Sequence, residues 1–304
     1  MDELQRSIYG DRFARDFARK DGVAFQDWFA KIAAAAFGPD FDPIRPYGKK
    51  GDLKCDGRRL STGTVFQCYA PYDLKDVETI KKIDEDFYGA LEHWPDFLKT
   101  WTFVHNDYRG LPATVSQHLD ALRTKHPDIK IEIMSEAQLR DIVMQLEVHH
   151  LEDLFGPAPT MRQLDSISLD DLKPVLDEIA RVDPDPLAED YTGPSARKLE
   201  KNGLSEDAVS MLRIGRRRQQ KVADYFDTTA RPDVADRIAE AFRSRYDELK
   251  GLSRDSEWIF ERLQKFAGMS GDARRQAAAL AVLAYFFERC DIFEDPDEIE
   301  QAGI

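Results

Sequence analysis

Cysteine is scarce in this chain of 304 residues: Cys55, Cys68 and Cys290 stand far apart, with no CxxC spacing and no His/Cys cluster. That excludes a disulfide framework and a zinc-finger type of site. Long apolar runs are lacking too. The longest, Ala277 to Phe287, has eleven residues, whereas a membrane-spanning helix needs about 20. The start, Met-Asp-Glu-Leu-Gln-Arg, has neither the basic opening nor the apolar stretch of a secretory signal. Together these absences predict a cytoplasmic protein with no membrane partner. An excess of positive charge is missing as well: 43 basic against 57 acidic residues give −14 and a pI near 5.0. A protein that coats nucleic acid with its whole surface is thereby disfavoured, because such affinity rests on phosphate neutralisation. A local basic cleft in an acidic molecule stays open.

What is present suffices for two cores. Hydrophobic residues make up 42% and charged residues 33%, the composition of a globular protein, and the length suits about two domains of about 150 residues each. Apolar residues recur at helical spacing from Phe13 to Phe37, where Gly38-Pro39 ends the helix. Between Ile44 and Pro71, turn residues separate two strand candidates, Leu53 to Cys55 and Thr64 to Tyr69, which read as a hairpin. Lys75 to His93 and Pro112 to Lys125 read as helices and Trp101 to His105 as an apolar strand. Asp128 to Met134 alternates Ile129, Ile131 and Ile133 with polar residues, the pattern of a half-buried strand. Ser135 caps a helix running to about Leu146. This order predicts an α/β domain over residues 1–155, with a mixed central sheet flanked by helices.

The composition changes at Gly156-Pro-Ala-Pro159 and again at Asp183-Pro-Asp-Pro186. Residues 156–194 therefore read as a connector carrying one amphipathic helix, Ser168 to Val182. From 195 to 304 no strand pattern is found. Helices are expected over Ala208 to Phe226, Val234 to Leu249, Ser256 to Phe266 and Ala273 to Phe293, the last apolar nearly all round and so the buried centre of an all-α domain.

The chemistry concentrates between Arg45 and Arg59, where six of fifteen residues are basic and Asp52 and Asp56 sit among them. Carboxylates flanked by lysines and arginines suit a metal-dependent phosphodiesterase, in which Asp holds Mg²⁺ or Mn²⁺ and the cations receive phosphate. In strands, Asp52, Lys54 and Asp56 would share one face, and Gln67 and Tyr69 another, with Phe66 and Cys68 opposite. Two facing strands would then gather Asp56, Lys54, Gln67 and Tyr69 about one point. Solvated charges on two surface turns are the competing reading.

Gly51-Asp-Leu-Lys-Cys-Asp-Gly57 followed by Phe66-Gln-Cys-Tyr69 resembles the core of PD-(D/E)XK nucleases of the Mrr-like restriction endonuclease group. The preceding helix, Gly22-Val-Ala-Phe-Gln-Asp-Trp-Phe29, is similar to that family's first helix. The resemblance implies a restriction-endonuclease-like fold with Asp56 as the main metal ligand, Asp52 beside it and Gln67 at the second acidic position. Lys49, Lys50, Arg58 and Arg59 would face DNA. Two positions depart from the pattern: Tyr69 stands where the catalytic Lys is expected, and Gln26 where a Glu often is. Lys54 is the natural replacement cation and Lys82 a weaker one.

A second resemblance covers Ala277 to Pro296, Lys201 to Leu204, Tyr225-Phe226, Trp101 to Asp107 and Gly110 to Pro112, which look like the effector of ABC-three-component, Lamassu-type anti-phage systems. It implies a Mg²⁺-dependent DNA endonuclease acting beside an SMC-like ATPase and a small third subunit, quiet at rest and released by self-assembly into a homo-oligomer. A degenerate nuclease fold serving as an adaptor is the alternative. Other features keep plainer readings open: His149-His150 as a solvated helix end, His105-Asn-Asp107 as a functional loop or a capped turn, Arg213 to Lys221 as a contact for DNA or an acidic partner or as a solvated face, Asp291 to Glu300 as a solubilising end, and Cys55 and Cys68 as small core residues.

Overall fold

A computed structural model of the chain describes residues 1–44, 53–181, 203–231 and 233–289. It divides into two units, one of Arg12–Phe155 and one of Met1–Asp11 with Gly156–Ile304. The apolar periodicity around Phe13 to Phe37 is carried by two helices rather than one, α1 (Glu3–Arg19) and α2 (Gly22–Phe37). Asp21 is extended and Gly22 has φ of 47°, a left-handed conformation that glycine accepts without a Cβ clash. The helical spacing runs across this turn unbroken because Phe13 and Phe17 of α1 pack on Trp28 and Phe25 of α2.

In the unit of Arg12–Phe155 a five-stranded mixed sheet has the order β1 (Phe41–Pro43), β2 (Gly57–Arg59), β3 (Thr64–Tyr69), β4 (Thr100–His105), β5 (Lys130–Met134). The first three strands run antiparallel, with Gly57 opposite Phe66. The last three are parallel, with Val65 beside Trp101 and Trp101 beside Ile131. Parallel neighbours need crossovers, here α3 (Asp76–His93) and α4 (Ala113–Lys125). Alternation along β3 sends Val65 into a core with Ile83, Phe87, Trp101, Val115 and Leu119. Phe66, one residue on, faces the other way and meets Phe29, Phe37 and Phe41. After β5, a capping box of Ser135 and Gln138 starts α5 (Glu136–Met144), and α6 (Val148–Phe155) closes the unit.

The hairpin differs from the sequence expectation in one respect. Leu53 to Cys55 is not a strand, because Leu53 and Lys54 have φ of 56° and 59°, and extended pairing begins only at Gly57. The shared strand face expected for Lys54 and Asp56 is lost with it, and Asp52 lies outside the described residues. The short β1 carries too few residues for a period-two signal.

The second unit is helical among the described residues: α7 (Met161–Asp165), α8 (Leu169–Ile179), α9 (Glu206–Gly215), α10 (Gln219–Thr228), α11 (Val234–Leu252), α12 (Ser256–Phe266) and α13 (Ala273–Glu288). The single helix expected over Ala208 to Phe226 is interrupted by a 3-10 turn at Arg216–Arg218. Gly215 lies directly against α13, where an added Cβ would stand 2.9 Å from both the Leu280 carbonyl and the Ala284 methyl. Residues Gln276 to Ala284 of α13 are all buried, as expected of a central helix. Asp272 caps it by accepting from the N–H groups of Arg274 and Arg275. Arg274 in turn forks onto Asp171 of α8 at 2.5 and 2.8 Å. No helix of the described residues is long and apolar enough to cross a membrane.

Phe66 is 3% exposed and contacts three aromatic rings. Phe66→Ala is expected to destabilise the sheet unit by about 3–5 kcal/mol, seen as a lowered urea midpoint in tryptophan fluorescence. A midpoint shift worth under about 1 kcal/mol would contradict this packing.

Candidate functional site

Asp56 precedes β2 and is 5% exposed. A buried carboxylate needs hydrogen-bond donors, and three elements supply its surroundings. Gln26 of α2 donates its side-chain amide to Oδ1, and the backbone N–H of Cys68 in β3 donates to Oδ2 at 2.6 Å. The Asp56 N–H donates to the Phe66 carbonyl at 2.9 Å. Asp56 thus lies against the backbone of Phe66 to Cys68, and the residue between them is Gln67. That side chain is 3% exposed and its Oε1 has no hydrogen-bond partner among the described residues. The helix-borne Gln26, marked in the sequence by its position, does reach Asp56.

The remaining residues of the expected site divide. Tyr69 packs its ring on Phe103 at 6.1 Å and pairs in register with His105. Lys54 turns to α3, where Nζ lies 3.1 Å from Asp86 Oδ1, the same oxygen that Lys82 Nζ meets at 2.9 Å. Arg58 forms an ion pair with Asp42 and lies 4.5 Å over the Trp94 ring. Arg59 bonds Asp40 at 2.8 Å and lies 4.6 Å over Phe37. The Ser61 hydroxyl, Arg59 and the Ser61 N–H hold the Asp40 carboxyl down at about 2. Both arginines therefore have partners along the β1–β2 edge. Asp52, Lys49 and Lys50 lie outside the described residues, as do Cys290 and Asp291 to Glu300.

A hard divalent cation takes oxygen donors, and Mg²⁺ keeps several waters while binding through one or two carboxylates. The Asp56 carboxylate and the Gln67 carbonyl fit that donor type. No group of three or more His, Cys, Asp or Glu among the described residues is placed to hold a metal. Cys68 is not a nucleophile in waiting: burial, then the Asp56 carboxylate, then Cys55 push its thiol well above the ordinary value. Cys55 is fully buried and donates to the Gly57 carbonyl at 3.2 Å.

Asp86 escaped sequence reading. Its signal was its place on the stripe Thr79, Ile83, Asp86, Phe87, Ala90, the buried face of α3, where an acid has no reason to be unless it is paired. At the ends of β4 and β5, Asp107, Arg109, Glu136 and Arg140 line a cleft of about 390 Å³. Arg109 forks onto Asp107, and burial raises Glu136. His149 and His150 lie in the first turn of α6, their rings 3.9 Å apart.

Comparison with known proteins bears on the helical unit. Residues 170–294 match the family model described as C-terminal domain 10 of the ABC-three component (ABC-3C) systems. This part of the chain, from α8 to beyond α13, is similar to a C-terminal domain of such a system. No curated protein and no solved structure matches the chain.

His105, at the end of β4, is 1% exposed; it accepts the Asp107 N–H on Nδ1 at 3.3 Å and its Nε2 has no partner among the described residues. Burial lowers it from 6.5 to about 4, with Asp107 opposing the shift. Between those values the unfolded chain binds a proton that the folded chain does not, so stability falls as pH drops from 6.5 toward 4. The expected loss is about 3 kcal/mol by pH 4, and His105→Gln should remove that part of the pH dependence in denaturation curves. An unchanged pH dependence in the variant would show that His105 is not held neutral.

Proposed function

We propose that the sheet unit is an Mrr-like PD-(D/E)XK nuclease domain, and that the chain is a Mg²⁺- or Mn²⁺-dependent DNA endonuclease, the effector of an ABC-three-component, Lamassu-type anti-phage defence complex. The observation that carries this reading is the Asp56 cluster. A buried carboxylate at the head of β2 is bonded by an amide from the helix that precedes the sheet and by the backbone of the strand that bears Gln67. The element order from α2 through three antiparallel strands, a helix and a parallel strand supports the same fold, and the match over 170–294 supports the system.

In this reading Asp56 and Gln67 hold the metal ion, with Asp52 as a further ligand. When bound, the metal supplies a water of lowered pKa and neutralises charge on the phosphate. Gln26 and the Cys68 N–H orient the Asp56 carboxylate, fixing which lone pairs face the site. Lys54 supplies positive charge where Tyr69 replaces the usual lysine, stabilising charge that develops on the phosphate oxygens. The total of −14 lowers intrinsic affinity for DNA, which suits an effector kept quiet until an SMC-like ATPase and a third subunit deliver foreign DNA. Homo-oligomerisation on activation belongs to the same proposal.

A second reading, an adaptor on a degenerate nuclease fold, is favoured by Tyr69 packed on Phe103 and by the ion pair that occupies Lys54. Incubating the full chain, alone and with its ATPase partner, with supercoiled plasmid and Mg²⁺ separates the two. Nicking or linearisation is expected, reduced by about 10²–10³-fold in Asp56→Ala, the scale of removing one preorganised charge-stabilising group. Undiminished cleavage by that variant, or none under any activating condition, would sink the catalytic reading.

A further inference from the structure

One sign of charge concentrates at the C-terminal end of α8. Asp177, Ala180, Arg181, Arg231 and Arg237 line a cleft of about 340 Å³ there. The chain brings them together from three places: the end of α8, the stretch between α10 and α11, and the opening of α11. A helix C-terminus attracts cations, since its last carbonyls lack partners and carry about half a negative charge. Arg237 meets that need by donating to the Ala180 carbonyl at 2.8 Å.

The other two guanidinium groups are surplus to it. Arg231 approaches Asp177 at 3.6 Å, too long for a hydrogen bond, so its donors stay available. Arg181 is exposed and makes no side-chain hydrogen bond or ion pair among the described residues. Asp233 and Asp236, at the head of α11, form no ion pair with any of the three arginines. Three guanidinium charges thus face one carboxylate and a helix end. A positive excess remains in a concave wall, where the field is focused.

The same unit shows what a lone carboxylate takes. Asp171 receives the fork of Arg274, and Glu178 pairs with Arg275, one arginine to each acid. Three convergent arginines exceed that requirement. A phosphate monoester presents three terminal oxygens and close to two negative charges, so each guanidinium can engage a separate oxygen with its planar fork. The cleft volume is at the low end of small-ligand sites and holds more than a bare ion. A DNA diester carries a single charge per phosphate and is gripped by cations set out along its backbone.

We infer that Arg181, Arg231 and Arg237 form a binding site for a compact phosphate dianion, the terminal phosphate of a nucleotide-sized monoester. The site lies within the span that matches the ABC-three-component domain, and it does not depend on the nuclease reading.

The test is isothermal titration of the intact chain with AMP, inorganic phosphate and adenosine at constant ionic strength. The pH is set at about 7.5, above the second phosphate pKa of about 6. AMP and phosphate are expected to bind at a single site and adenosine not at all. Tighter binding of AMP assigns an ester as the ligand, and equal binding assigns the free anion. Arg181→Gln and Arg231→Gln, both at exposed positions, should each weaken the affinity about tenfold, the worth of one charge-assisted hydrogen bond. Arg237→Lys keeps the charge but loses the fork, and should weaken it as well. Asp177→Asn keeps the shape and removes the repelling charge, and should tighten it. Arg254→Gln, at an exposed arginine of the same unit, makes an equal charge change and should have no effect. Far-UV circular dichroism checks each fold, and if Arg237→Lys loses helix, the two exposed variants decide. No binding of AMP or phosphate, adenosine binding as tightly as AMP, weaker binding in Asp177→Asn, or an equal loss in Arg254→Gln overturns the inference. So does a glutamate-rich peptide, or a DNA duplex lacking terminal phosphates, that binds more tightly than AMP and loses affinity in the same variants.

Discussion

The need to satisfy one buried carboxylate organises the sheet unit. Taking the charge of Asp56 out of water costs several kcal/mol unless donors replace its hydration. Those donors come from α2 through Gln26 and from β3 through the Cys68 N–H. Helix, hairpin and central strand therefore meet at a single carboxylate, and the aromatic contacts of Phe66 with Phe29, Phe37 and Phe41 pack α2 against the same strand. A hydrogen bond to a charge is directional and burial of phenyl rings is not. The first sets the register of α2 against the strands, and the second supplies most of the adhesion.

The distribution of charge follows a related logic. Along the β1–β2 edge, Arg58 and Arg59 are absorbed by Asp42 and Asp40 and by aromatic faces. On α3, Asp86 likewise draws Lys54 and Lys82 onto one oxygen. These four basic side chains are thus tied to carboxylates of their own unit, and the sign of the whole molecule governs approach from a distance.

Much of this was legible in the sequence wherever one periodicity dominated. The strand ending at Met134, the helix after Ser135, the helix Ser256–Phe266 and the apolar α13 follow from alternation, a capping residue, helical spacing and all-round hydrophobicity respectively. Breaks were less visible. Lys20-Asp21 and Arg216–Arg218 interrupt helices without Pro, and the apolar spacing carries across both because the flanking helices bury into shared cores. Leu53 and Lys54 read as strand, since nothing in their identity announces a left-handed backbone. The motif marked Asp56, Gln67 and Gln26, and the structure joins Gln26 to Asp56 and Asp56 to the backbone beside Gln67. Asp86 was not, because one acid in an amphipathic stripe leaves a periodicity count almost unchanged, and its partner Lys54 comes from 32 positions away.

The fork of Arg274 onto Asp171, joined by the ion pair of Arg275 with Glu178, ties α13 to α8. These are the first and last described helices of the span that matches the ABC-three-component domain. The fork pins the first turn of α13 to the first turn of α8, 103 positions earlier, and so closes a long loop of chain. The entropic cost of such a closure grows only with the logarithm of loop length, so the segments strung between the two helices can lengthen or shorten at little cost to the pairing.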